Sequence, residues 1–341
     1  MQWLLGIVMA EKEVVARTMI TVILCTYNRC GSLAKTLNSL AALTLPESVE
    51  WEVLVVDNNS SDETREVVEK NFCSRYSGHF RYVFERQPGK SHALNTGIRE
   101  ARGDILAFTD DDVTVEPTWL QNLTVALHNS EWAGAGGRVV AEWACSPPRW
   151  LSLEGPYALG DTLALFDRGH EAREISENPF GANMAFRRVM FEKYGGFRTD
   201  LGPRAESQDP QKSEDAEFGR RLLLAGERLR YEPSAVVHHW VPENRLQKKY
   251  FLEWWFDKGR SDIRKSGIRP DSNCYWGIPL NLFRQMIVST LRWMVAMQPQ
   301  RRFYQKVQVW ELAGEFAERY RHSLDVKKPR RPWKARGNAT L

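Results

Sequence analysis

Apolar residues along the first 240 positions come in short blocks that stop abruptly at polar or acidic runs. Ile20 to Cys25, Trp51 to Val56 and Ile105 to Phe108 are near-continuous apolar stretches of strand length, the pattern of strands buried on both faces of a sheet. Between them the period changes. Leu33, Leu37 and Leu40 recur at helical spacing after the first block, and a further helix is expected after the polar run that begins at Asp57. Leu120, Leu123 and Leu127 mark a helix over 117–128, and the segment from Gly134 to Trp143 reads as another strand. The segment 145–178 carries Pro147, Pro148 and Pro156 with few regular periods, which marks it as a long binding loop. From Glu214 to Leu224 helical spacing returns, with Ser213 placed as an N-cap and Glu214 and Asp215 in the first turn. Strands alternating with helices in this way predict an α/β fold built on βαβ units.

The chemistry gathers where the strands stop. Ile105 to Thr109 runs directly into Asp110, Asp111 and Asp112, three carboxylates that repel one another unless a cation lies among them. A divalent, oxygen-loving ion such as Mg²⁺ or Mn²⁺ suits such a cluster, with substrate phosphate oxygens completing its shell. An acidic turn capping the helix near Pro117 is the plainer alternative. Ligands of open α/β sheets bind beyond the carboxyl ends of the strands, so Thr26, Tyr27, Asn28, Asp57 and the three acids are expected to share one mouth. Neither a GxGxxG nor a Walker loop is present, which argues against a dinucleotide fold or a P-loop ATPase.

These segments, in this order, resemble the family 2 glycosyltransferases, whose catalytic domain has the GT-A fold: a Rossmann-like mixed sheet flanked by helices. CTYNR (25–29) resembles the first nucleotide-binding loop, VVDNNSSDET (55–64) the strand end whose Asp57 contacts the base, and GKSHALNTGI (89–98) the helix before the metal strand. FTDDD (108–112) stands where that family carries its DxD motif. NPFGANMAFRR (178–188) looks like the acceptor-side segment and SEDAEFGRR (213–221) like the motif bearing the catalytic base. The resemblance implies donor contacts from Thr26, Tyr27, Asn28, Arg29, Asp57, Lys90, Asn95, Asp110 and Asp111, and acceptor contacts from Gly181, Ala182, Asn183 and Glu214. It implies Asp110, Asp112 and His239 as metal ligands and Asp215 as general base. Lys90 would also sit at a helix N-terminus, where phosphate is favoured.

The implied activity is inverting, metal-dependent transfer of one sugar from a nucleotide-sugar, with UDP favoured, to a glycan or lipid-linked hydroxyl. The processive family pattern of QxxRW with several membrane spans is missing, so polymer synthesis is not expected. Two other readings compete. A sugar-nucleotide pyrophosphorylase would carry a Gly-rich N-terminal loop, which CTYNRC lacks. A silent sugar-nucleotide binding module would have no need of both Asp112 and Asp215.

Charge divides the chain. Residues 241–341 hold 21 Lys and Arg against 9 Asp and Glu, a surplus of 12, whereas the whole chain is +4; the first 240 residues therefore carry −8. The expected organisation is an N-terminal extension (1–17), a GT-A domain (18–240), a C-terminal helical region (241–322) and a basic tail without fixed structure (323–341). Within the helical region, apolar residues at 280, 283, 287, 291 and 294 form a stripe with Arg284, Gln285 and Arg292 off it. Packing on the catalytic domain, contact with a membrane surface and a homodimer interface all suit such a helix, in that order, and no nucleic-acid partner is expected. Five scattered cysteines without CxxC spacing suggest reduced thiols and a cytoplasmic location, with a peripheral place on the membrane's cytoplasmic face if the basic helices bind lipid.

Overall fold

The strands end where the apolar blocks end. The computed structural model describes residues 18–76, 78–203, 214–267, 274–275 and 277–327. The chain opens with β1 (Met19–Thr26), α1 (Cys30–Ala41), β2 (Glu50–Asp57), α2 (Thr64–Val68), β3 (Phe80–Phe84) and α3 (Lys90–Glu100). It continues through β4 (Ile105–Thr109), β5 (Val113–Val115), α4 (Trp119–Thr124), β6 (Gly134–Trp143), β7 (Arg173–Ile175) and β8 (Met184–Arg187). Then come α5 (Arg188–Tyr194), α6 (Glu214–Leu224), β9 (Leu229–Val241), and the helices α7 (Lys248–Ser266), α8 (Leu280–Val295) and α9 (Pro299–Lys327). The irregular stretch before Asn178 thus contains one short strand, β7, which pairs with β9.

The main sheet runs β3-β2-β1-β4-β8-β6-β9-β5 among the described residues. β3, β2, β1 and β4 are parallel, and β8 turns against β4 and β6. Leu33, Leu37 and Leu40 of α1 are buried, as their spacing predicts. β4 is buried along its whole length, which is why its sequence is continuously apolar rather than alternating.

Register then places the chemistry. Thr26 pairs with Asp57, and Leu24 with Thr109, so β1, β2 and β4 release their loops at one edge. Because β8 is antiparallel to β4, with Phe108 opposite Met184, the residues preceding β8 reach that same edge from the other direction. His239 of β9 lies opposite Val113, and the Trp240 N–H donates to the Asp112 carbonyl at 3.2 Å, which ties the far side of the sheet to the acid cluster.

The main hydrophobic core fills the sheet and its flanking helices. A second cluster joins Leu151, Leu159, Leu163, Val241, Leu246 and Phe251 to Phe303 and Val307. Through it α7 and α9 pack on the catalytic part of the chain. The α8 stripe behaves differently from the expectation of packing: Phe283 meets Phe316 of α9, while Leu280, Ile287, Leu291 and Met294 are exposed. Helix α9 continues to Lys327, past the start expected for the tail. The segments 1–17 and 328–341 and the expected cap Ser213 lie outside the described residues.

Candidate active site

At the carboxyl edge of β1 and β4 lies a cavity of about 610 Å³, lined by Thr26, Tyr27, Arg29, Lys90, Asp110, Asp111, Asp112, Gly181, Ala182, Glu214, Asp215 and His239 among others. Most of the residues singled out in the sequence therefore meet in one place. Each acid of the triplet has its own partner. Lys90 Nζ donates to Asp110 Oδ1 at 2.7 Å and lies 4.0 Å from Glu214 Oε1. Burial opposes the Lys90 charge, but Asp110 and Glu214 outweigh it and raise its pKa. Asp111 accepts from Thr26 Oγ1 at 2.8 Å and from Arg29 at 3.0 Å. Burial dominates there and pushes the Asp111 carboxyl up to about 6 despite Arg29.

Asp112 belongs to a different group. Its carboxylate is 3.0 Å from Arg29, 3.2 Å from Arg245 and 3.5 Å from His239 Nε2. Burial would raise its pKa, yet the positive groups gathered around it, Arg245 and Arg29 among them, hold it well below the usual carboxylate range. The His239 ring is buried, and its Nδ1 lies 2.8 Å from the Leu163 carbonyl, which can only accept. Nδ1 therefore carries the proton. Nε2 then presents a lone pair, which receives Arg245 Nη1 at 3.1 Å.

Among the described residues no group of three or more His, Cys, Asp or Glu forms a ready metal cage. The expected trio of Asp110, Asp112 and His239 is not among such groups, and Asp110 is paired with Lys90. Asp112 and His239 nonetheless point a carboxylate and an imidazole lone pair at one spot that two guanidinium groups now neutralise. This donor set fits a Mg²⁺ or Mn²⁺ ion whose remaining ligands are water and phosphate oxygens.

Asp215 lines the same cavity at the start of α6, accepting from Gly181 N–H at 3.0 Å and Ala216 N–H at 2.7 Å. A methyl built on Gly181 would lie 3.4 Å from Asp215 Oδ2 and 3.8 Å from Lys90 Nζ. The Lys90–Asp110 pair and Asp215 thus border the same point. Beside it, burial and the Asp215 charge raise the Glu214 carboxyl to about 7.

Four expected residues stand apart from this lining. Asn183 is wholly buried: its amide donates to the Arg138 and Ala235 carbonyls and accepts from Trp119 Nε1, closing the bulge between Gly137 and Arg138 in β6. It is not available to an acceptor. Asn95 gives both ends of its amide to the backbone of Phe197 and fixes the turn after α5, rather than a donor. Asn28, in the left-handed region at φ 51°, accepts from the Ser61 N–H. Asp57 accepts from Ser60 N–H and Tyr82 Oη. The N-terminus of α3 is also less open to phosphate than expected, since Lys90 N–H donates to the Pro203 carbonyl.

The structure adds residues that sequence reasoning missed. Arg245, Tyr250, Trp254, Trp255 and Lys258 line the cavity together with Asp161 to Ala164 of the long loop and with Asn58. Trp255 Nε1 donates to Thr162 Oγ1 at 2.9 Å, joining helix to loop. The signal was present in the spacing: 250, 254, 255 and 258 fall on one face of a helix.

A mixed sheet flanked by helices, with an acid-lined crevice where its parallel half meets its antiparallel half, defines the GT-A class of sugar transferase. The chain belongs to glycosyl transferase family 2, whose model matches residues 21–195. It is 30% identical over 263 residues to the glucosyl-dolichyl phosphate glucuronosyltransferase of Haloferax volcanii, covering 75% of this chain and 81% of that one. It is 31% identical over 241 residues to the succinoglycan biosynthesis protein ExoM of Rhizobium meliloti, covering 70% and 72%. The mannosyltransferase PcManGT from Pyrobaculum calidifontis, solved with GDP-Man and Mn²⁺, shares the fold at a TM-score of 0.60 and 19% identity over 89% of this chain and 88% of that one. The protein is accordingly a glycosyltransferase, and the pyrophosphorylase and silent-module readings give way to that assignment.

Proposed function

We propose that this enzyme transfers one sugar from a nucleotide-sugar donor to a hydroxyl of a glycan or lipid-linked acceptor, with inversion and with a divalent cation. The observation that carries the reading is the meeting of Asp215 and the Asp110–Asp112 group across one cavity. The base of the donor lies against Tyr27 at the β1 edge, with Asp57 behind it retaining unused acceptor capacity. Lys90, Arg29 and Arg245 supply positive charge for the diphosphate. A cation bound by Asp112 and His239 would neutralise the leaving diphosphate as the glycosidic bond breaks.

Asp215 is fixed by the Gly181 and Ala216 N–H groups, so its carboxylate is aimed before an acceptor arrives. It takes the hydroxyl proton as that oxygen attacks the anomeric carbon, and the nucleotide diphosphate departs from the opposite face. One displacement inverts the centre. Glu214, whose carboxyl burial and the Asp215 charge push upward, lies beside the base and orients the acceptor by hydrogen bonding. The Haloferax relative's name supports a lipid-phosphate-linked acceptor, and the family resemblance favours UDP as the donor's nucleotide.

The test is a transfer assay over UDP-, GDP- and dTDP-sugars, with Mn²⁺ and with chelator, for wild type and Asp215→Asn. Wild type should require the cation. Asp215→Asn should lose roughly 100-fold or more in turnover while binding nucleotide as wild type does; retained turnover would remove Asp215 from the chemistry.

A further inference from the structure

We infer that the outer face of α8 docks the enzyme onto an anionic lipid surface. The face is apolar and, among the described residues, uncovered. Leu280, Ile287, Leu291, Met294 and Val295 of α8, and Met297 just beyond it, are exposed, Met297 to 89%. These are not core positions caught by chance, because α8 has a separate packing side: Leu282 is buried, Phe283 meets Phe316 and Trp293 meets Trp310 of α9. One helix therefore carries two apolar faces, and only one has a partner within the described residues.

Charge selects the occupant. From Ser272 to Trp310 the sequence contains no Asp or Glu, while Arg284, Arg292, Arg301, Arg302 and Lys306 supply five positive groups. Arg284 and Arg292 are exposed on α8 beside the apolar residues, and Arg301 and Arg302 are exposed at the start of α9. Long cationic side chains flanking an apolar strip can reach phosphate headgroups while the strip enters the acyl boundary. No described helix is long and apolar enough to cross a membrane, so this is contact along the surface rather than a span. A second copy of the chain fits less well, since two-fold pairing of this face would set Arg284 and Arg292 against their own kind. A lipid surface satisfies the apolar strip and the cations together.

The inference is independent of the sugar-transfer reading, and its test uses no donor. The full chain is floated with vesicles of phosphatidylcholine alone or with a third phosphatidylglycerol, at low and high salt. Wild type should float with the anionic vesicles at low salt and lose about tenfold in partitioning at high salt. Ile287→Glu/Leu291→Glu, two exposed positions, should abolish flotation, and Arg284→Gln/Arg292→Gln should weaken it several-fold, with nucleotide binding intact in both. Absence of flotation with anionic vesicles would overturn the inference. Flotation indifferent to the Ile287/Leu291 change would overturn it too, as would a dimer in light scattering that the same change dissolves.

Discussion

Arg245 sits where a metal ion would be expected, bonded to both His239 Nε2 and Asp112 Oδ2. A guanidinium and a divalent cation compete for the same lone pairs, so one must leave when the other arrives. Arg245→Ala should tighten Mn²⁺ binding to the nucleotide-free enzyme by roughly tenfold, the equivalent of about 1.4 kcal/mol, and weaken nucleotide binding once metal is present. Calorimetric titration of Mn²⁺, then of UDP or GDP, reads both effects; unchanged metal affinity would show that Arg245 does not occupy the ion's place. At this scale the sequence was legible where side-chain type and motif order settle the environment: Asp112 at a strand end, Asp215 in a helix first turn and Lys90 all reach the cavity. It misled at the asparagines. An amide serves a ligand or a backbone equally well, and at Asn95 and Asn183 the backbone of a distant segment, Phe197 or the β6 bulge, takes it.

Elements were easier to read than their neighbours. The buried strands declared themselves through continuous apolar runs, and the 250–258 region through its aromatic helix. What no local pattern could reveal is how α7 and α9 approach one another. A methyl built on Gly259 would fall 2.1 Å from the Glu311 carbonyl oxygen, and one on Gly314 would fall 2.0 Å from that of Phe256. The two backbones touch at these glycines, which lets α7 set its aromatic face into the cavity. Gly259→Ala should cost about 1–3 kcal/mol as the helices are forced apart and should lower turnover by loosening that wall. Gly31→Ala on α1, where nothing lies within 4 Å of the added methyl, is the control, expected to be neutral or to gain up to about 1 kcal/mol. Urea titrations of the two variants decide it, and equal stabilities would mean that α7 and α9 adjust without strain. The same lack of three-dimensional context explains the α8 stripe: its period was visible, but which face meets α9 depends on Phe316 and Trp310 far along the chain.

Across the whole molecule the cavity has two builders with different histories in the sequence. The family model covers residues 21–195, which supply the β1 and β4 edge of the cavity. A second wall comes from the 161–164 loop, inside that shared part, and from α7, which lies beyond it, and it is richer in aromatic rings. Donor chemistry is common to such enzymes whereas acceptors differ, so this second wall is where acceptor choice would reside. Trp254 tests the division. It lines the cavity, packs edge-on against Trp255 at 5.3 Å between ring centroids, and lies on α7, apart from the Asp110–Asp112 acids of the β4 edge. If an acceptor sugar stacks there, Trp254→Ala removes an aromatic contact of about 0.5–1.5 kcal/mol and raises the acceptor KM by up to about tenfold. Nucleotide affinity and metal dependence should stay as in wild type if the two walls act separately, because Lys90 and Asp112 are carried by α3 and the β4 edge rather than by α7. Parallel measurement of nucleotide Kd and acceptor KM separates the outcomes: a matched loss in both would mean that the two walls form a single binding surface, and that the C-terminal helices serve the donor as much as the acceptor.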